Sequence, residues 1–324
     1  MLPRLPALFP LACAVLGLAC RPAPWPDPPP VDPAAFLSAH ESWRANRRAE
    51  LTDSLHMAPR WAGLWPLPEG TTVLGADTAL AVALPVRGGS RVPARVGRIQ
   101  RRGRVTALEA APGVTLTLHH GGTAPAVLPM MSDSAGDPTC VRIGTLHLWV
   151  HNELGRLYLR AADESLFPGR SFPMPDQFPP DPAWRVAARL EPFDPPRTLR
   201  LPDVTAEIQE WPVPGRLVFQ VAGRKFRVLP IALPGAPGAP VRMRLMFRDS
   251  TSGRETFGLT RYLTVPAVDS TGWTVIDFNR AYNPPCAFTA HSVCVLPPEE
   301  NRLAARIAAG EKEFKKRMVE DGGW

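Results

Sequence analysis

Apolar and polar positions alternate with a period of two over much of the chain, in short runs that begin near residues 72, 79, 104, 114, 145 and 156. Glycine or proline bounds each run, so the pattern predicts six or more strands spaced like an antiparallel sandwich. Alternation resumes at Trp184 and then builds two hairpins. In the first, Leu217–Val221 and Phe226–Ile231 flank a turn at Ala222-Gly223-Arg224-Lys225. In the second, the run from Val241 to Arg248 turns between Asp249 and Gly253 and returns through Glu255 to Val265.

Two stretches follow the helical period instead. Asp32 supplies an N-cap and Pro33 a first helical position that needs no N–H, and Phe36, His40, Trp43, Arg47 and Leu51 then recur along one face. A helix is expected from 33 to about 51. After Pro297-Pro298, the residues Leu303, Ile307, Phe314 and Met318 predict a second, C-terminal helix. The fold expected is therefore mainly β, in two packed antiparallel sandwich or barrel-like parts with a helix at each end. The proline-rich crossing at 172–182 divides an N-terminal part, 34–171, from a second β part, 172–324.

Proline accounts for 40 of 324 residues, which punctuates the chain into short segments and disfavours long helices. The formal charge is +7, yet lysine occurs only at 225, 312, 315 and 316 and the arginines are interspersed with acids. Without a basic block, no nucleic-acid partner is expected.

At the N-terminus, Arg4 precedes an apolar stretch from Leu5 to Leu18, and small residues lead into Cys20. The stretch is too short to span a bilayer and has the layout of an export signal. It resembles a bacterial lipoprotein signal, 1–20, with Gly17 where such signals usually carry Leu. The resemblance implies Cys20 as the lipid anchor, a membrane partner reached through it, and a cell-envelope location, with plain secretion as the alternative. Seven prolines between Pro22 and Pro33 then form a tether, 21–33, expected to be extended and solvated.

The polar chemistry concentrates between Trp273 and Glu311. Phe257, Leu259, Leu263 and Val265 share a strand face with Arg261 in their midst, and Asp277 is the carboxylate expected to pair with it. Asn279, Tyr282 and Asn283 precede Pro284-Pro285, where the chain is locked extended. Their side chains suit either stapling the loop or presenting a pocket. These five residues form the candidate ligand site. Cys286 and Cys294 enclose a short loop, which in an exported chain reads first as a disulfide contributing about 2.5 kcal/mol. Free thiols, or a zinc set completed by His291, are the alternatives. His119-His120 reads as an exposed turn, and 133–137 as a structural turn with too few carboxylates for calcium. No nucleotide, dinucleotide or zinc-protease fingerprint occurs, so no cofactor is expected.

Two resemblances follow. The segment from Val73-Leu74-Gly75 through Leu84-Pro85 to Val141-Arg142-Ile143-Gly144 faintly resembles a forkhead-associated sandwich. Ala76 stands where that family has its phosphate-binding arginine, and Val92-Pro93-Ala94-Arg95 lacks its serine and histidine. The second is carried by the segments at 63–70, 156–163, 181–189 and 249–258, then Asp277-Phe278-Asn279 to Pro284-Pro285-Cys286, 297–303 and Ala309-Gly310-Glu311. Together they resemble an uncharacterised bacterial family, domain of unknown function one-six-eight-four. Thr260, Phe257 and Val295 depart from its pattern. That resemblance implies no activity. The function expected is a binding module for a small anionic or glycan-like ligand, with a hydrolase or a structural envelope component as the rivals.

Overall fold

A computed structural model describes residues 25–52, 57–87, 91–167, 172–233 and 239–314. The export signal, Cys20 and the first residues of the tether lie outside the described residues. The first element, α1 (Pro33–Thr52), starts where the capping argument places it, with the Ala35 N–H donating to Asp32 Oδ1 at 2.8 Å. No helix among the described residues is long and apolar enough to cross a membrane.

Ten strands follow in the N-terminal part: β1 (Trp61–Pro66), β2 (Gly70–Gly75), β3 (Val82–Ala83), β4 (Gly97–Arg102), β5 (Val105–Ala110), β6 (Thr117–Leu118), β7 (Val127–Pro129), β8 (Val141–Ile143), β9 (Leu146–Glu153) and β10 (Arg156–Asp163). They form two five-stranded sheets, ordered β1-β10-β9-β8-β6 and β3-β2-β4-β5-β7. Leu74, Ile99 and Leu108 from the second sheet meet Val141, Leu148, Val150 and Leu159 from the first in one core. Pairing is antiparallel except for the short β2–β3 contact. Neither sheet closes into a barrel.

Seven more strands build the second part: β11 (Arg185–Pro202), β12 (Ile208–Val221), β13 (Arg224–Val228), β14 (Ile231–Ala232), β15 (Met243–Phe247), β16 (Arg261–Val265) and β17 (Trp273–Asp277). Their sheets run β13-β12-β11-β17 and β14-β15-β16. The β12–β13 hairpin turns through Ala222 and Gly223, both at positive φ, as its two-residue loop requires. Phe219 and Phe247 meet Phe278 in tilted and edge-to-face contacts within the core of this part.

At the N-terminal end, the described residues of the tether ahead of Pro33 form neither helix nor strand and are mostly exposed, with Trp25 and the Pro29 carbonyl in contact with the body. Trp25 packs on Trp273 with ring centroids 5.2 Å apart, its indole N–H donates to the Ala187 carbonyl, and Lys225 sits over its ring. The expected C-terminal helix is absent over Leu303 to Phe314, and Met318 lies outside the described residues. Leu303, Ile307 and Phe314 are buried, as that face requires, but in an irregular strap whose backbone is committed elsewhere. Leu303 N–H donates to the Arg248 carbonyl, Glu311 N–H to Ala281, and Lys312 N–H to Asp176. The Ile307 and Ala309 carbonyls accept from Arg261. A helix would have consumed those groups internally. Gly310, at φ +76°, passes so close to Ala281 that a Cβ would meet its carbonyl oxygen at 2.4 Å.

Candidate functional site

The outer face of the β1-β10-β9-β8-β6 sheet faces the second part of the molecule instead of solvent. Alternation assigns Leu146, Leu148 and Val150 to the core, which leaves His147, Trp149 and His151 on the other face. On β10, Tyr158, Arg160 and Ala162 pair with His151, Trp149 and His147 and share that face. Across from them stand Ile231, Met246 and Tyr262 of the three-stranded sheet. Between the two faces, roofed by residues 282–295, lies a cavity of about 530 Å³. That is the size of an ordinary small-molecule pocket.

Arginines and aromatic rings dominate the lining. Arg47, Arg160, Arg242 and Arg244 contribute four cations against the carboxylates of Glu50 and Glu153, and Trp61, Trp211, Tyr262 and Tyr282 supply ring faces. Arg47 is neutralised by Glu311 at 3.0 Å and Glu50 at 3.3 Å. Arg160 differs. It is 2% exposed, lies 3.6 Å over the Trp61 ring and donates to the His291 carbonyl, yet has no carboxylate at ion-pair distance among the described residues. Burial pushes it down to about 10, still a cation at neutral pH. Arg244 Nε and Trp211 Nε1, of two more lining residues, are buried donors with no acceptor among the described residues. One cavity thus holds a buried cation without a carboxylate and two donors with capacity to spare, and each orphan donor costs free energy unless an acceptor completes it.

Beside this wall, His151 Nδ1 lies 2.6 Å from Asp133 and Nε2 lies 3.2 Å from Glu153. Burial lowers the His151 pKa, but hydrogen bonds to the two carboxylates outweigh it and the net shift is upward. The 133–137 turn is thereby explained: Asp133 also accepts the Asn152 N–H, pinning the turn to β9.

The expected site residues separate into two groups. Tyr282 and Asn283 line the cavity. The Asn283 N–H donates to Glu311, its side-chain amide to the Lys312 carbonyl, and its carbonyl accepts from Arg47, so it also ties the roof to the C-terminal strap. Arg261, Asp277 and Asn279 lie elsewhere. Arg261 is 1% exposed and pairs with Asp249 at 2.7 Å, not with Asp277. The Ile307 and Ala309 carbonyls take further guanidinium donors. Asp277 instead caps the turn at Asn279 and faces Arg280 at 3.4 Å, and Asn279 exchanges two hydrogen bonds with the Asp181 backbone. Asp249 is nearer because the turn it opens returns the chain antiparallel, placing Phe247 opposite Arg261.

The expected disulfide is likewise corrected: Cys286 and Cys294 are free thiols. Their loop does bring them together, with the Cys286 N–H donating to Cys294 Sγ at 3.3 Å. A side-chain hydrogen bond from the Cys286 thiol holds the Cys294 thiol below its usual range against the opposing effect of burial, with the Cys286 N–H, Ser292 and Tyr262 assisting. Cys286 is pushed up, first by that same bond and then by burial. The zinc alternative with His291 finds no cluster there among the described residues.

Sequence reasoning missed Arg160, Arg242, Arg244 and Trp211. A signal existed for one of them: Arg160 interrupts an otherwise apolar or small stretch of β10, Leu159 to Ala162, as Arg261 interrupts β16.

Comparison with known proteins finds a family model that matches the second part of the chain and carries no activity. Residues 170–312 match the model of a family described as a protein of unknown function, DUF1684. A solution NMR structure of an uncharacterized protein from Haloarcula marismortui is 26% identical over 44% of this chain and 77% of that one, with a TM-score of 0.36. No curated protein matches.

Proposed function

We propose that this chain, whose residues 170–312 carry the DUF1684 pattern, is a binding module for a small anionic or glycan-like ligand held between its two β parts. The observation that carries the reading is the set of donors lining the cavity: the buried Arg160 guanidinium, with no carboxylate at ion-pair distance among the described residues, and the orphan donors of Arg244 and Trp211. A phosphate or carboxylate would satisfy them with charge-assisted bonds, and the Trp61 and Tyr262 rings offer faces for a sugar or other ring. The leader supports export and lipid attachment at Cys20, with the body displayed at the cell envelope.

Calorimetric titration of the purified protein with inorganic phosphate, glucose 1-phosphate and glucuronate, against neutral glucose, tests this. Anion-selective binding is expected, and Arg244→Met should weaken it about 10- to 100-fold, the equivalent of one charged hydrogen bond. Equal or absent response to all four compounds would remove the reading.

A hydrolase acting through Cys294 is the second reading. Its specific support is that Cys294 lines the same cavity with its thiol held low by neighbouring donors. Turnover of an ester or phosphoester panel that vanishes in Cys294→Ser, with anion binding retained, would favour it over the module.

A further inference from the structure

We infer that His119, Cys140 and His147 form a binding site for a thiophilic first-row transition ion, with Zn²⁺ the best fit, on the same sheet face as the anion cavity but apart from it. The site arises from strand register. β8 pairs β6 with Leu118 opposite Val141, and the His119 N–H donates to the Cys140 carbonyl, so these two residues face each other across the edge of the sheet. β8 pairs β9 with Arg142 opposite His147, one diagonal step from Cys140 on the same face. One residue just past β6, one just before β8 and one on β9 thus bring one ligand atom each to a common place, and those atoms lie within 4.8 Å of one another.

The donor atoms suit an ion. His119 Nδ1 and His147 Nδ1 are 3.1 Å apart. Two imidazoles bound tetrahedrally to one zinc at ordinary bond lengths stand about 3.3 Å apart. The orientation of His147 is fixed from behind, because its Nε2 lies 3.0 Å from Glu164 Oε2. The proton shared with that carboxylate places the lone pair on Nδ1, facing Cys140 and His119, which is the outer-shell arrangement that metal-bound histidines use. One sulfur and two imidazole nitrogens without an oxygen donor select zinc or copper over magnesium or calcium. Cys140 and His147 are buried at 8% and 3% exposure, walled by Trp149 and Ala162, while His119 sits on a turn at the open side. Burial pushes the Cys140 thiol up to about 12, so a bound cation is what would convert it to thiolate. Three protein ligands leave a fourth position open toward solvent, the layout of a site that admits water or a ligand.

The test is metal uptake by the purified full chain after chelator treatment. One equivalent of Zn²⁺ should bind saturably, and Co²⁺ should give a thiolate charge-transfer band. Cys140→Ser should abolish the band, and His147→Ala should abolish stoichiometric uptake. Glu164→Gln should weaken binding about 10- to 100-fold. Cys286→Ser with Cys294→Ser should leave metal uptake and the Co²⁺ band as they are, and thermal melts of each metal-free variant establish that it folds. Absence of saturable uptake by folded protein, or uptake that survives Cys140→Ser, would show that the two histidines share only a hydrogen bond and overturn the inference.

Discussion

Asp249→Asn isolates the role of Arg261. The substitution removes one negative charge at almost constant shape, and an Asn oxygen can still accept from the Thr251 N–H and hydroxyl that Asp249 Oδ1 now serves. What is lost is the partner of a guanidinium that is 1% exposed and bonded to a fully buried carboxylate at 2.7 Å. Stranding a buried charge in this way costs about 3–5 kcal/mol. The Ile307 and Ala309 carbonyls continue to accept from Arg261, which argues for the lower end. At about 2–4 °C per kcal/mol for a chain of this size, the melting temperature should fall by about 10 °C. Urea unfolding of the two proteins measures the difference, and Arg261→Met combined with Asp249→Asn should recover most of it, since the cation has gone too. Anion affinity should not change in the folded single variant. A loss below about 1 kcal/mol, or a lost ligand response with stability intact, would refute the assignment of Arg261 to architecture.

Other consequences follow from the same contacts. Glu311→Gln should destabilise by about 3 kcal/mol in urea titrations, because Arg47 is left buried and the Asn283 N–H loses a charged acceptor. His151 should titrate above its usual value in NMR, since hydrogen bonds to Asp133 and Glu153 outweigh burial. Its folded pKa is raised, so its contribution to stability is complete below about pH 6.5 and disappears as pH rises through the folded value. Unfolding measured from pH 6 to 9 should show that decline, and His151→Gln should flatten it. Expressed in a host that processes lipoproteins, the chain should incorporate labelled palmitate, and Cys20→Ala should abolish incorporation.

Local pattern was legible because it needs only near neighbours. Asp32-Pro33 announced α1, and Ala222-Gly223 announced the β12–β13 hairpin, each through chemistry confined to a few residues. The final helix failed for the reason those succeeded. Leu303 and Ile307 are both buried, but the spacing of apolar residues does not register that Arg261, some forty residues earlier, claims the Ile307 and Ala309 carbonyls. The candidate site divides the same way. Asn279 and Asn283, from their place before Pro284-Pro285, suit either a staple or a pocket; both tie backbone segments together, Asn283 also lines the cavity, and Tyr282 does reach it. The cavity's other walls come from the outward faces of two sheets. Arg242 and Arg244 alternate with Met243 and Leu245 just as a solvent-facing row would, and only the packing of one sheet face toward another turns that row inward. His119, Cys140 and His147 were likewise hidden, since strand register unites them and sequence spacing does not.

The most direct test of the account is an anion titration of the wild-type protein beside Arg160→Gln, read by calorimetry and by thermal shift. Among the described residues, Arg160 is a buried cation without a carboxylate at ion-pair distance, so the wild type should bind glucose 1-phosphate or phosphate and gain thermal stability. The variant should lose that response while melting at or above the ligand-free wild type, because an uncompensated buried charge has been removed. A wild type indifferent to every anion, or a variant that binds equally well, would contradict the claim that this cavity recognises negative charge.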